Sequence, residues 1–302
     1  MILHLIVQAA VAQSCSCSVG ASDTSLPMGI VLDSGAVVVG VDYTLGQTGG
    51  EVWEGVVAAE DLQGDSMGGM AMPGHLAQVG RLSGTVGLPA GISANVVVPY
   101  VHSAPLYPSE MPGDVPRGFA GDASVGARWG VRREGTFAGV GLAATLPTGQ
   151  VIRGVGVRGG RGALGAVVDA TGLQMVGPVV GIAGRAAWAR GLYASPIDDY
   201  LVAPQLDAAL GARVWTREQG RLSITGLAAF LHKGHDRQAD FELDQTGLDV
   251  LSVAAGADWR VWAVKSRSLL LSLRGQLPVY QVVGDAWLAE NFTLTTGAGL
   301  AF

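Results

Sequence analysis

Three methionines and a histidine crowd into one short stretch, MGGMAMPGH: Met67, Met70, Met72 and His75. Thioether and imidazole donors are soft, so this grouping suits Cu(I) or another soft monovalent ion. The competing reading is a Gly-rich loop in which Met fills gaps. Cys15 and Cys17, in SCSCS, are the two cysteines of the chain. With one residue between them a mutual disulfide would be strained. They therefore read as free thiols, a lipid attachment site or a second set of soft-metal ligands. His232, His235 and Asp236 form an HxxH pair with an adjacent acid, which could ligate a metal if the loop folded around it. Arg153, Arg158 and Arg161 lie in VIRGVGVRGGRGALG. No Lys-Ser/Thr follows and no helix is predicted there, so a nucleotide-phosphate loop is excluded. A basic loop meeting lipopolysaccharide phosphates fits better, against a plain flexible loop.

A second set of polar residues is scattered singly among apolar ones: Asp42, Arg81, Asn95, Asp122, Arg128, Gln205, Asp207, Arg213, Asp258, Arg260, Arg274 and Gln276. Rows of mixed sign facing an enclosed space can line a narrow polar path, or pair across it and close it. Pairing that narrows the pore is the favoured expectation. No Ser/His/Asn or Asp/His grouping forms a recognisable hydrolytic motif, so no enzyme is expected.

The elements that must hold these residues are strands. Phe292, Leu294, Thr296, Ala298, Leu300 and Phe302 fall on one face of a period of two, and Thr293, Thr295, Gly297, Gly299 and Ala301 on the other. Leu251, Val253, Ala255, Ala257, Trp259 and Val261 alternate with Ser252, Gly256, Asp258 and Arg260 in the same way. The polar face is sparse, Gly-rich and mixed in sign, which suits a lumen better than a solvated sandwich surface. The pattern predicts an all-β transmembrane antiparallel β-barrel of about twelve strands, ten or fourteen also being compatible. Predicted strands are 36–45, 76–88, 92–103, 118–131, 136–147, 171–183, 185–195, 202–216, 220–232, 249–262, 268–281 and 290–302. Short and long connections then alternate, as periplasmic turns and outer loops do. The tryptophans fall mostly near strand ends, where interfacial girdles sit.

Composition agrees. Hydrophobic residues make up 49% of the 302, charged residues 15%, and mean hydropathy is +0.36. Yet no run approaches the ~20 apolar residues of a membrane-spanning helix. The 46 glycines are about double the usual share; they weaken helices but suit curved strands and small lumen faces. A net charge of −6 argues against nucleic-acid binding. Residues 1–12 read as an export signal ending in Ala10-Val11-Ala12, without a basic n-region. Residues 13–35 then form a periplasmic segment carrying both cysteines, and 36–302 the barrel. The expected location is the bacterial outer membrane, with lipid and lipopolysaccharide around the barrel and a small-molecule solute within it.

Several segments resemble the outer-membrane family associated with meta-pathway phenol degradation: GDASVGARWG (121–130), GVGLAATLPTG (139–149), NVVVPYV (95–101) and the tail LPVYQVVGDAWLAENFTLTTGAGLAF (277–302). One branch of these barrels also begins with a CSCS-like segment, as at Cys15–Ser18. The resemblance implies a barrel and transport, without a defined substrate. The long Gly-rich stretch 153–165 departs from it. The final Phe302 resembles the C-terminal signal read by the barrel assembly machinery. The Met-rich stretch resembles those of outer-membrane copper-resistance proteins.

Overall fold

A computed structural model describes residues 32–48, 52–53, 56–57, 75–105, 118–149, 163–196, 199–216, 221–243, 247–264, 267–283 and 290–302. Twelve long strands make the wall: β1 (Val37–Thr48), β2 (His75–Gly87), β3 (Ile92–Pro105), β4 (Ser124–Arg133), β5 (Thr136–Thr145), β6 (Gly165–Met175), β7 (Val180–Gly191), β8 (Gln205–Trp215), β9 (Leu222–Lys233), β10 (Leu248–Val264), β11 (Arg267–Val283) and β12 (Glu290–Ala301). Each pairs antiparallel with its sequence neighbour, and β1 pairs with β12 from Val38↔Ala301 to Thr48↔Glu290. The sheet is therefore closed. Closure leaves no free edge, so backbone N–H and C=O groups are satisfied strand to strand inside lipid.

The molecule is inside-out by the standards of a soluble protein. Leu210, Leu142, Leu82 and Ile224 are 65%, 62%, 58% and 57% exposed, all on the outer face. The inner face buries Asp42, Thr44, Arg81, Ser83, Thr85, Ser223, Thr225, Ser252 and Asp258. An apolar exterior running round the whole wall is stable only against lipid. The chain is an outer-membrane β-barrel, and no helix among the described residues is long and apolar enough to cross a membrane.

Connections alternate as the pattern predicted. The β2–β3, β4–β5, β6–β7, β8–β9 and β10–β11 links are short and share one end with the start of β1 and the finish of β12. The β4–β5 hairpin turns on Glu134-Gly135, where Gly135 sits at φ +77, a conformation that side chains with a Cβ resist.

Two expected strands are displaced. The turn placed at Gly184 lies instead at 176–179, between β6 and β7, and Gly184 is mid-strand, paired with Gly172 and Leu210. Pro178 explains the difference: it has no N–H to give a ladder, so it belongs in the turn, which Val176 N–H closes onto Val180 O at 2.9 Å. The expected strand 118–131 is also interrupted, Gly118–Ala120 and β4 being separated by 121–123.

Candidate functional site: the lumen wall

The strands bring most of the predicted polar set onto one inward surface. Asp42 on β1 faces Arg81 on β2 directly across the ladder. Arg81 Nη1 donates to Asp42 Oδ1 at 2.9 Å and reaches Thr44 Oγ1 at 3.4 Å. Both charges are almost fully buried, so each satisfies what would otherwise be a costly desolvated ion. Arg185 on β7 binds Asp207 on β8 at 2.6 Å, diagonally across that ladder. Arg213 on β8 donates to Ser223 Oγ on β9 and, one strand further, to Asp258 on β10.

Arg128 on β4 and Asp169 on β6 are separated by β5, yet Nη2 meets Oδ1 at 2.5 Å. Gly141 makes this possible. It is in register with both, and a Cβ built on it would lie 2.2 Å from Asp169 Oδ2. The missing side chain opens a slot through which the carboxylate crosses β5. Gly126 does the same for Asn95, whose Oδ1 lies 2.8 Å from where a Cβ would stand. Some of the glycine excess is thus a lumen device: bare backbone under long polar side chains.

Every one of these pairs joins adjacent or next-but-one strands. A paired network is the favoured expectation, and the ion pairs among the described residues run along the wall. Gln205 is buried on the inner face, and Asn95 and Gln276 also turn inward. Asp122 lies before β4 rather than on a strand, where its carboxylate accepts the Gly149 N–H at 2.8 Å and ties the β5–β6 loop to the rim. Arg260 is exposed at the short-turn end, beside a register shift between Arg260 and Trp262.

Two members of the inner row were missed in the sequence, Asp169 and Arg185. The sequence pattern places Asp169 in a loop and Arg185 at the first position after a turn. The signal that recovers both is Pro178. Among the tryptophans, Trp129, Trp188, Trp259 and Trp262 expose their rings outward, but Trp215 turns inward beneath the Arg213 guanidinium, 5.4 Å from the ring centre.

The HxxH pair does not converge. His232 meets Asp249 at 2.7 Å, exposed, while His235 is exposed and lies beside Gly247. Asp236 turns away into a fully buried position, accepting from the Tyr200 hydroxyl, the Ala203 N–H at 2.8 Å and Lys233 Nζ at 2.7 Å. It anchors a small sheet of Tyr200–Leu201, Asp236–Gln238 and Phe241–Leu243 at the long-loop end. The metal reading of this motif is therefore corrected, and no cluster of three or more His, Cys, Asp or Glu that could hold a metal occurs among the described residues. Met67, Met70, Met72, Cys15, Cys17, Arg153, Arg158 and Arg161 lie outside the described residues; His75 opens β2, paired with Thr48 and Pro105. Phe302 exchanges backbone hydrogen bonds with Val37 at the seam.

No protein-family model matches the sequence, and no curated protein is similar to it. Solved structures do match in fold. An outer-membrane channel from Pseudomonas putida F1 superposes with a TM-score of 0.71 over 90% of this chain and 97% of its own, at 15% identity. The translocator domain of the autotransporter NalP from Neisseria meningitidis matches at a TM-score of 0.49, covering 96% of each chain at 12% identity. The first of these shows that the chain shares the fold of an outer-membrane barrel.

Proposed function

We propose that the protein is an outer-membrane channel that lets a small solute cross passively. The observation that carries this reading is the placement of the ion pairs. The four inner-face Arg–Asp pairs among the described residues each join adjacent or next-but-one strands along the wall, and Gly141 clears the backbone beneath one of them. A barrel built to be filled would instead spend its charges on contacts across the axis or replace them with packed apolar side chains. The charged wall gives a solute a hydrated, polar surface. The Pseudomonas barrel of the same fold is described as a channel, in keeping with this reading.

The test is conductance of the refolded protein in planar lipid bilayers, with swelling of solute-loaded liposomes alongside. Discrete current steps and solute-dependent swelling are expected. A heat-modifiable, correctly folded barrel giving neither would overturn the channel reading and leave a structural barrel.

A further inference from the structure

Among the described residues, the inner face of the wall between its rims carries five arginines, Arg81, Arg128, Arg185, Arg213 and Arg274. It carries four aspartates, Asp42, Asp169, Asp207 and Asp258. Each aspartate is taken by one of the first four arginines. Arg274 is left over. Its Nε is buried without a hydrogen-bond partner. Its neighbours in register are Gly256 on β10 and Thr295 on β12, neither of which carries charge. The nearest carboxylate, Asp258, is held by Arg213, and the other charges within electrostatic range are the guanidiniums of Arg213 and Arg185.

The position of Arg274 is built. A Cβ on Gly256 would lie 3.4 Å from both Cγ and Nε of Arg274. The stem and Nε therefore rest at van der Waals distance over the bare backbone of Gly256. The surroundings reinforce the sign. Among the described residues the short-turn end exposes Arg132, Arg133, Arg221, Arg260 and Arg267 against Asp33 and Glu134, although the chain as a whole is at −6. An uncompensated cation behind a cationic mouth, in a confined lumen with low-dielectric walls, concentrates anions.

We propose that Arg274 is an anion-binding residue of the lumen, and that the channel favours small carboxylates and other monovalent anions over cations. A guanidinium with free donors takes a carboxylate by two parallel hydrogen bonds, and the carboxylate in electrostatic range, Asp258, is already held by Arg213. This rests on the channel reading for its transport half, but not for its binding half.

Two measurements separate the halves. Reversal potentials under a KCl gradient are expected to show chloride preferred over potassium in the wild type. Arg274→Gln should reduce that preference several-fold, Arg274→Lys should keep it, and Arg190→Gln, on the outer face, should not change it. Isothermal titration of the detergent-refolded barrel with sodium benzoate should show saturable binding that Arg274→Gln weakens at least tenfold. Each variant is first checked for heat-modifiable migration, and Arg274→Lys covers the case in which the glutamine variant misfolds. Cation preference in the wild type, or selectivity and benzoate binding unchanged in Arg274→Gln, would overturn the proposal while leaving a conducting channel intact. Benzoate binding lost in Arg274→Gln by a barrel that conducts nothing would uphold the site and overturn the channel.

Discussion

Replacing Gly141 by alanine should break an ion pair in which Gly141 takes no part. The new Cβ would stand 2.2 Å from Asp169 Oδ2, 2.9 Å from its Cγ and 3.2 Å from its Oδ1. The carboxylate must withdraw by roughly 1 Å to reach an ordinary contact, and the 2.5 Å bond to Arg128 Nη2 cannot survive that. With charge centres about 4 Å apart and an effective dielectric of about 20, the pair contributes about 4 kcal/mol of Coulomb energy. Opening it by ~1 Å removes about 1 kcal/mol of that, together with a charge-assisted hydrogen bond worth about 1.5–3 kcal/mol. Alanine returns about 0.5–1 kcal/mol by restricting the unfolded chain. The net loss should be about 2 kcal/mol, read as a shift in the urea midpoint of the barrel refolded into vesicles. The decisive comparison is the same substitution in an Asp169→Ala background. With the carboxylate gone, Gly141→Ala should be neutral or slightly stabilising. Equal destabilisation in both backgrounds would refute the slot argument, because the cost would then arise from the backbone rather than from the pair.

Asp42→Asn leaves Arg81 buried without its counter-charge and should destabilise the barrel by about 3–5 kcal/mol, whereas Asp42→Asn with Arg81→Gln should recover most of that loss in the same urea assay. Asp236→Ala removes the acceptor of three hydrogen bonds at the long-loop end; trypsin should then cut at Arg237 at least several-fold faster, with heat-modifiable migration unchanged. If the Met-rich stretch binds copper, Met67→Ala/Met70→Ala/Met72→Ala should abolish Cu(I) affinity measured against a competing chelator, while His232→Ala should leave it intact.

The barrel was legible because a lumen and a lipid phase impose opposite polarity on alternate residues. The run Phe292 to Phe302 and the run Leu251 to Val261 show that constraint without interruption, and their strands lie where the pattern put them. Between Gly165 and Gly191 the alternation weakens, since alanine and glycine fit either face. There only Pro178 marks the turn, and a turn at Gly184 leaves Asp169 in a loop and Arg185 at a strand start. Which charges share the inner face could be read from parity. Which charge meets which could not, because the Arg128–Asp169 pair skips a strand and depends on the absent side chain of Gly141. The HxxH motif shows the opposite failure. On a strand that runs into a turn, His232 faces outward and Asp236 inward, so the spacing that suits a helix or a folded metal loop brings no ligands together. Arg274 looked like any other inward arginine in the sequence; only the pairing of all four aspartates elsewhere sets it apart.

The central claim is a solute path along the inner face, and adjacent alanines on β9 test it. Ala229 faces inward beside Ser252, and Ala228 faces lipid beside Val253. In a Cys15→Ser/Cys17→Ser background, Ala229→Cys and Ala228→Cys are each inserted in a planar bilayer and treated with a charged methanethiosulfonate reagent. The account predicts a stepwise fall in single-channel current for Ala229→Cys and none for Ala228→Cys. Current in both variants that the reagent leaves unchanged, or that falls only for Ala228→Cys, would contradict it.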